Sequence, residues 1–130
     1  MKKEIREIVW KKFCKHCAYC GDELKYKDMQ VDHVVSKYNF KWDFEIKRNV
    51  PGFLVHLTSE DVDHIDNLFP SCRVCNKKKD TFTLEFFRSE LEREHEKAKR
   101  YSSNYRFALK YNQIKETPKP IIFYYEKLNK

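Results

Sequence analysis

The sequence predicts a small α+β domain in which helices flank a few short strands around a metal staple. Three observations carry that reading. Apolar residues recur at helical spacing near the start (Ile5, Ile8, Val9, Trp10, Phe13) and again later (Leu84, Phe87, Leu91, Ala98). Between them, Met29 to Val35 is apolar and β-branched except for Gln30, Asp32 and His33, as a short strand would be. Two Cys-x-x-Cys pairs, Cys17/Cys20 and Cys72/Cys75, bracket that strand.

Taken in order, the first amphipathic helix should cover about residues 3 to 13, after which a cysteine-rich turn begins. Residues 36 to 66 are mixed. Pro51-Gly52 marks a turn there, and Phe53 to Leu57 reads as a second strand. From Cys72 the pattern turns helical. Thr83 can cap a further helix with Glu85 in its first turn, ending near Arg100. A shorter helix then takes in Tyr105, Ala108, Leu109 and Asn112, and Pro118 and Pro120 impose an extended path into Ile121 to Tyr125. No internal repeat or low-complexity tract interrupts this order.

The 130 residues fit one domain, divided into an N-terminal helix (1–13), a stapled core (14–82) and a helical, basic C-terminal extension (83–130). Only two glycines are present, which excludes glycine-rich phosphate loops of the Walker or dinucleotide-binding kind. The net charge of +7 is unevenly spread: residues 97 to 130 carry nine basic side chains against Glu116 and Glu126. That asymmetry suits a polyanionic partner, because each neutralised phosphate releases counterions, and it equally suits a solvated basic tail. The opening Met-Lys-Lys-Glu-Ile-Arg-Glu has no apolar core of a signal peptide, and no run is long enough to span a membrane. Five cysteines without secretion signals point to a reducing, cytoplasmic setting, where clustered thiols hold metal more often than they form disulfides.

Zinc takes four thiolates in a closed tetrahedron, and Cys17, Cys20, Cys72 and Cys75 supply them. The 51 residues between the two pairs exceed a compact zinc ribbon, so a substantial insert must lie between them. Cys14 stands three residues before Cys17 and offers an alternative pairing. Gly21 favours Cys17/Cys20, since a knuckle commonly needs a permissive residue after its second cysteine. Cys14 then reads as a buried thiol at the end of the first helix, and His16 as a surface residue rather than a ligand.

The set Cys17-x-x-Cys20-Gly21, Val31-Asp32-His33, Asp66-Asn67-Leu68 and Cys72-x-x-Cys75-Asn76-x-x-Lys79 resembles the HNH endonuclease family in its zinc-bearing form. The Thr-Leu-Glu-Phe-Phe-Arg stretch and the closing Phe-Tyr-Tyr-Glu-Lys are similar to those of small stand-alone phage members, so the resemblance covers nearly the whole chain. It implies a ββα-metal, or His-Me finger, core with flanking helices. It also implies a metal-dependent DNA endonuclease, working as monomer or homodimer in a bacterial or phage-infected cell. Within that picture His33 is the general base, Asn67 braces the loop and orients the histidine, and Asp32 and Asn76 hold one Mg2+ or Mn2+ ion. The residue types suit those roles. A neutral imidazole can take a proton from water near pH 7, and carboxylate and amide oxygens are hard ligands that leave most of an octahedral shell to water and phosphate. Arg73, Lys77 and Lys79 are the phosphate-contacting candidates.

The 33 residues between His33 and Asn67 exceed what a compact finger needs and lack a Gly-Gly turn. They carry Lys37, Tyr38, Lys41, Trp42, Lys47 and Arg48, which would extend a DNA-facing surface. A second Val-Asp-His at Val62, Asp63 and His64 leaves no room for a hairpin before Asn67 and is set aside as the catalytic triplet. Adjacent strand residues point to opposite faces, so Asp32 and His33 can share a cleft only if the strand ends or twists there. The competing function classes are a non-catalytic zinc-stabilised module that binds nucleic acid and a zinc-stapled protein-interaction domain.

Overall fold

Short helices and two short strands follow from a sequence whose apolar runs are brief and frequently interrupted by charge. The computed structural model describes residues 1–128, an α+β arrangement of seven helices and one two-stranded antiparallel sheet among those residues. Helix α1 (Lys3–Lys11) matches the first amphipathic pattern and buries Val9 completely. Its longer polar side chains serve as donors to loop carbonyls: Arg6 Nη2 reaches Tyr26 O at 2.7 Å and Met29 O at 2.8 Å, and Trp10 Nε1 reaches Leu24 O at 2.8 Å. Among the described residues no helix is long and apolar enough to cross a membrane.

Strand β1 (Gln30–His33) lies inside the predicted 29–35 run and pairs with β2 (Leu68–Ser71). The register sets Gln30 opposite Ser71, Val31 opposite Pro70, Asp32 opposite Phe69 and His33 opposite Leu68. Phe53 to Leu57 is not the second strand: Gly52–Leu54 is a 3-10 turn that follows Pro51, and Leu54 alone of its residues is buried. Helix α2 (Phe40–Ile46) occupies the stretch between, and closes at Lys47 in the left-handed region. Helix α3 (Arg73–Lys79) starts directly after β2, capped by the Cys72 sulfur, which accepts the Cys75 N–H at 3.4 Å.

The chain divides into two compact units. The larger comprises Met1–Leu84 together with the segment that begins at Ile122; the smaller is Glu85–Ile121. In the larger unit the late segment returns to the first knuckle, where the Tyr124 and Tyr125 N–H groups donate to Tyr19 O and Ala18 O at 3.0 and 2.9 Å. Phe123 and Tyr125 are buried there, and α7 (Tyr124–Leu128) follows the extended run that the prolines impose.

The single helix predicted from Thr83 to about Arg100 is two, α4 (Leu84–Glu92) and α5 (Glu94–Tyr101), broken at Arg93 with φ −102° and ψ 5°. Helix α6 (Ser103–Lys110) is capped by Ser102, whose hydroxyl accepts the Tyr105 N–H at 3.2 Å. In the smaller unit part of the basic excess is neutralised internally: Lys97 meets Glu90 at 3.0 Å and Lys99 meets Glu116 at 2.9 Å.

Asn67 is fully buried and ties the end of β1 to the loop that precedes β2. Its Oδ1 accepts the Val35 N–H at 2.9 Å, while its Nδ2 donates to Val35 O at 3.1 Å and Val62 O at 2.9 Å. Asn67→Ala would leave those backbone groups buried without partners, at about 1–3 kcal/mol for each unsatisfied group. Urea unfolding should show a loss of at least about 2 kcal/mol. A change within error would mean that Asn67 is not a brace.

Candidate functional site

Two clusters in the larger unit carry chemistry. In the first, one ligand atom from each of Cys17, Cys20, Cys72 and Cys75 lies within 4.8 Å of the others. Cys20 Sγ and Cys72 Sγ are 3.8 Å apart, and a tetrahedron with Zn–S bonds of about 2.3 Å has edges of about 3.8 Å. The first pair is presented by a tight turn in which the Gly21 N–H donates to Cys17 O at 3.0 Å. Gly21 sits at φ +84°, and a Cβ there would meet Tyr124 Cδ1 at 2.9 Å, so both conformation and space require glycine. The second pair lies where β2 becomes α3.

The four thiols also shift one another's protons. Hydrogen bonding to Cys75 pulls the Cys17 thiol down to about 4, burial pushes Cys20 up to about 12, and the bond to Cys17 raises Cys75. One thiolate thus suppresses the ionisation of its neighbours, and a divalent ion bound to all four sulfurs would remove that conflict. The donor set suits a structural ion such as zinc. Cys14 stands outside this cluster; it is exposed at φ 58° instead of buried at the helix end.

In the second cluster the alternation of the strand separates Asp32 from His33. Asp32 is 5% exposed, accepts a hydrogen bond from the Tyr19 hydroxyl, and lies 3.2 and 3.4 Å from the Lys79 Nζ through its two oxygens. Burial pushes the Asp32 carboxyl up, and the Lys79 ammonium opposes that shift. Burial and the Asp32 charge raise Tyr19 well above the usual phenol range, which keeps its hydroxyl proton on the bond to Asp32. Lys79 is fully buried, and donates as well to His33 O at 3.1 Å. Its ammonium is therefore spent inside the fold and is not presented as a phosphate contact, whereas Arg73 and Lys77 on the same helix are exposed. The signal was in the spacing: Cys72, Asn76 and Lys79 recur every three or four residues, which puts them on one helical face.

His33 ends β1 with its side chain 18% exposed, and its Nε2 lies 2.9 Å from Asp63 Oδ1. That bond holds the Asp63 carboxyl below the usual carboxylate range, with a smaller contribution from Lys37, whose Nζ is 4.0 Å away. Asp63 belongs to the Val-Asp-His triplet that spacing sets aside; the loop folds back so that its aspartate, not its histidine, meets the first triplet. Asn67 makes no hydrogen bond to His33; it holds the backbone on either side of the dyad, at Val35 and at Val62.

The donor set for a divalent ion at Asp32 and Asn76 does not fit as folded. The Asp32 oxygens are committed to Tyr19 and Lys79, and among the described residues no hydrogen bond joins the half-buried Asn76 side chain to Asp32 or His33. The insert presents Lys37, Tyr38, Lys41, Trp42, Lys47 and Arg48 to solvent, with Tyr38 85% and Trp42 65% exposed. Comparison of the chain with family models, with curated proteins and with solved structures gives no match.

Two measurements test this arrangement. Purified protein should carry a single tightly held zinc ion, and substituted cobalt should give the thiolate-to-metal absorption of a four-sulfur site; Cys17→Ser or Cys72→Ser should abolish both. Metal-free protein with unchanged melting after chelation would refute the clamp. Lys79→Met should cost about 3–5 kcal/mol by leaving a buried carboxylate unpaired, and a second change, Asp32→Asn, should restore much of that loss. Equal destabilisation in the single and double variants would show that the pair is not coupled.

Proposed function

We propose that this chain is a DNA endonuclease of the HNH type that hydrolyses phosphodiester bonds with His33 as general base. The observation that carries the reading is the His33–Asp63 contact at 2.9 Å, a partly exposed imidazole held by a carboxylate whose oxygen lies 4.0 Å from the Lys37 ammonium. The order β1, β2, α3 and the four-cysteine cluster agree with the ββα-metal core that the resemblance implies. Zinc held by Cys17, Cys20, Cys72 and Cys75 would supply rigidity and no catalytic chemistry.

In the proposed reaction the imidazole takes a proton from a water molecule as the water oxygen forms a bond to phosphorus. The bond from phosphorus to the departing sugar oxygen breaks, and that oxygen takes a proton from solvent. Arg73 and Lys77 on α3, with Lys37 and Lys41 from the insert, are exposed cations that would hold phosphates, while the exposed Tyr38 and Trp42 rings would offer faces for stacking. A magnesium or manganese ion on Asp32 and Asn76 belongs to the same family resemblance. With Asp32 given to Lys79, no step here is routed through that ion.

The commitment of Asp32 to Lys79 favours one other reading, a zinc-stabilised module that binds nucleic acid without cutting it. Supercoiled plasmid incubated with the protein in magnesium, in manganese and in EDTA separates the two. A nuclease should give nicked or linear DNA, and His33→Ala should slow cleavage by about 10²–10⁴-fold while leaving DNA affinity unchanged. Absence of product on supercoiled, linear and branched DNA under every condition would leave the binding module.

A further inference from the structure

The geometry points to Asp63 as the positioning residue of His33. It accepts the Nε2–H and so leaves Nδ1 as the atom that takes the proton from water. This rests on the nuclease reading above for its catalytic consequence, but not for its structural content.

The ring of a neutral histidine carries one N–H, and the partner of one nitrogen fixes the role of the other. A carboxylate can only accept, so the bond of 2.9 Å between His33 Nε2 and Asp63 Oδ1 requires the proton to sit on Nε2. The unprotonated nitrogen of the ring, and so its in-plane lone pair, is then Nδ1. When Nδ1 accepts a proton, the ring becomes an imidazolium whose Nε2–H remains bonded to the Asp63 carboxylate. The ion pair stabilises that charge without the proton moving onto Asp63. Lys37, 4.0 Å from the same oxygen, favours the ionised carboxylate.

The loop that carries Asp63 is built to hold this position. Asp61 Oδ2 accepts from the Thr58 N–H at 2.8 Å and from the Thr58 hydroxyl at 3.1 Å, which closes the turn just before it. The His64 N–H donates to Asp61 O at 2.9 Å, and the Asn67 N–H to His64 O at 2.8 Å. Asn67 Nδ2 holds Val62 O, the carbonyl immediately before Asp63, while Asn67 Oδ1 holds the Val35 N–H just beyond His33. One buried amide thus spans the two segments that bear the dyad, and the Lys79 ammonium fixes the His33 carbonyl. Asp32, the carboxylate next to His33 in sequence, is buried on the other side of the strand and is not available to the ring.

The test uses the full chain with its metal and compares wild type with Asp63→Ala and Asp63→Glu. Imidazole 15N spectra should show His33 as the Nε2–H tautomer in the wild type, a mixture of tautomers in Asp63→Ala, and recovery of the first tautomer in Asp63→Glu. Plasmid cleavage should lose about 10- to 100-fold in kcat in Asp63→Ala, less than the loss of His33 itself, with KM little changed and partial rescue in Asp63→Glu. Identical 15N spectra in wild type and Asp63→Ala, or a change confined to KM, would overturn the assignment. If the wild type cuts no DNA yet the tautomer shifts as described, the dyad stands and the nuclease reading fails.

Discussion

Four sulfur atoms from two distant turns lie within 4.8 Å of one another, and the larger unit is organised around that meeting. The sheet it supports has only two strands of four residues, and a two-stranded ribbon is marginal in water without something to hold it. An ion held by these sulfurs would act at both ends of this problem. Cys17 and Cys20 lead toward β1, while Cys72 closes β2 and caps α3 through its sulfur. The turn between them also docks against the returning segment at Tyr124 and Tyr125. A cation at that point would join the first knuckle, the strand pair and α3 at one place, which few hydrophobic contacts could do in so small a unit.

What was legible in the sequence follows from which signals are local. The cysteine pairs, the first helix and the strand around Asp32 and His33 can be read directly, because spacing and residue type carry them. Strand β2 was hidden: Leu68, Phe69, Pro70 and Ser71 are all buried, so no alternation appears, and a proline argues against a strand unless the strand is at an edge. Phe53 to Leu57 looked more strand-like, yet Gly52–Leu54 folds as a 3-10 turn after Pro51. Phe40, Trp42 and Phe44 alternate as a strand would, but the segment is helical, with Phe40 stacked on Phe44 across one turn at 4.2 Å.

The candidate site was legible in part for the same reason. His33 could be singled out by its neighbours in the chain, but Asp63 lies 30 residues later, and no spacing rule foretells that its loop folds onto the end of β1. Lys79 shows a different limit. Lys77 and Lys79 both read as phosphate contacts, yet helical geometry turns successive side chains by about 100°, so Lys77 faces water while Lys79 reaches the interior. The return of Phe123 and Tyr125 to the larger unit depends on contacts with the first knuckle and leaves no local mark beyond their apolar character.

A buried lysine and aspartate are costly to place in a small core, and a pair of apolar side chains would often be at least as stable. Their position explains what the pair contributes. Lys79 binds the Asp32 side chain and the His33 carbonyl together, so it fastens α3 to β1 at the residue from which the imidazole departs. Tyr19, drawn from the first cysteine turn, completes the same group through its hydroxyl. The clamp, the strand and the helix therefore meet at one polar junction just behind His33. An apolar replacement could fill that volume, but it would not hold the carbonyl, and the direction of the ring toward Asp63 would lose its fixed reference.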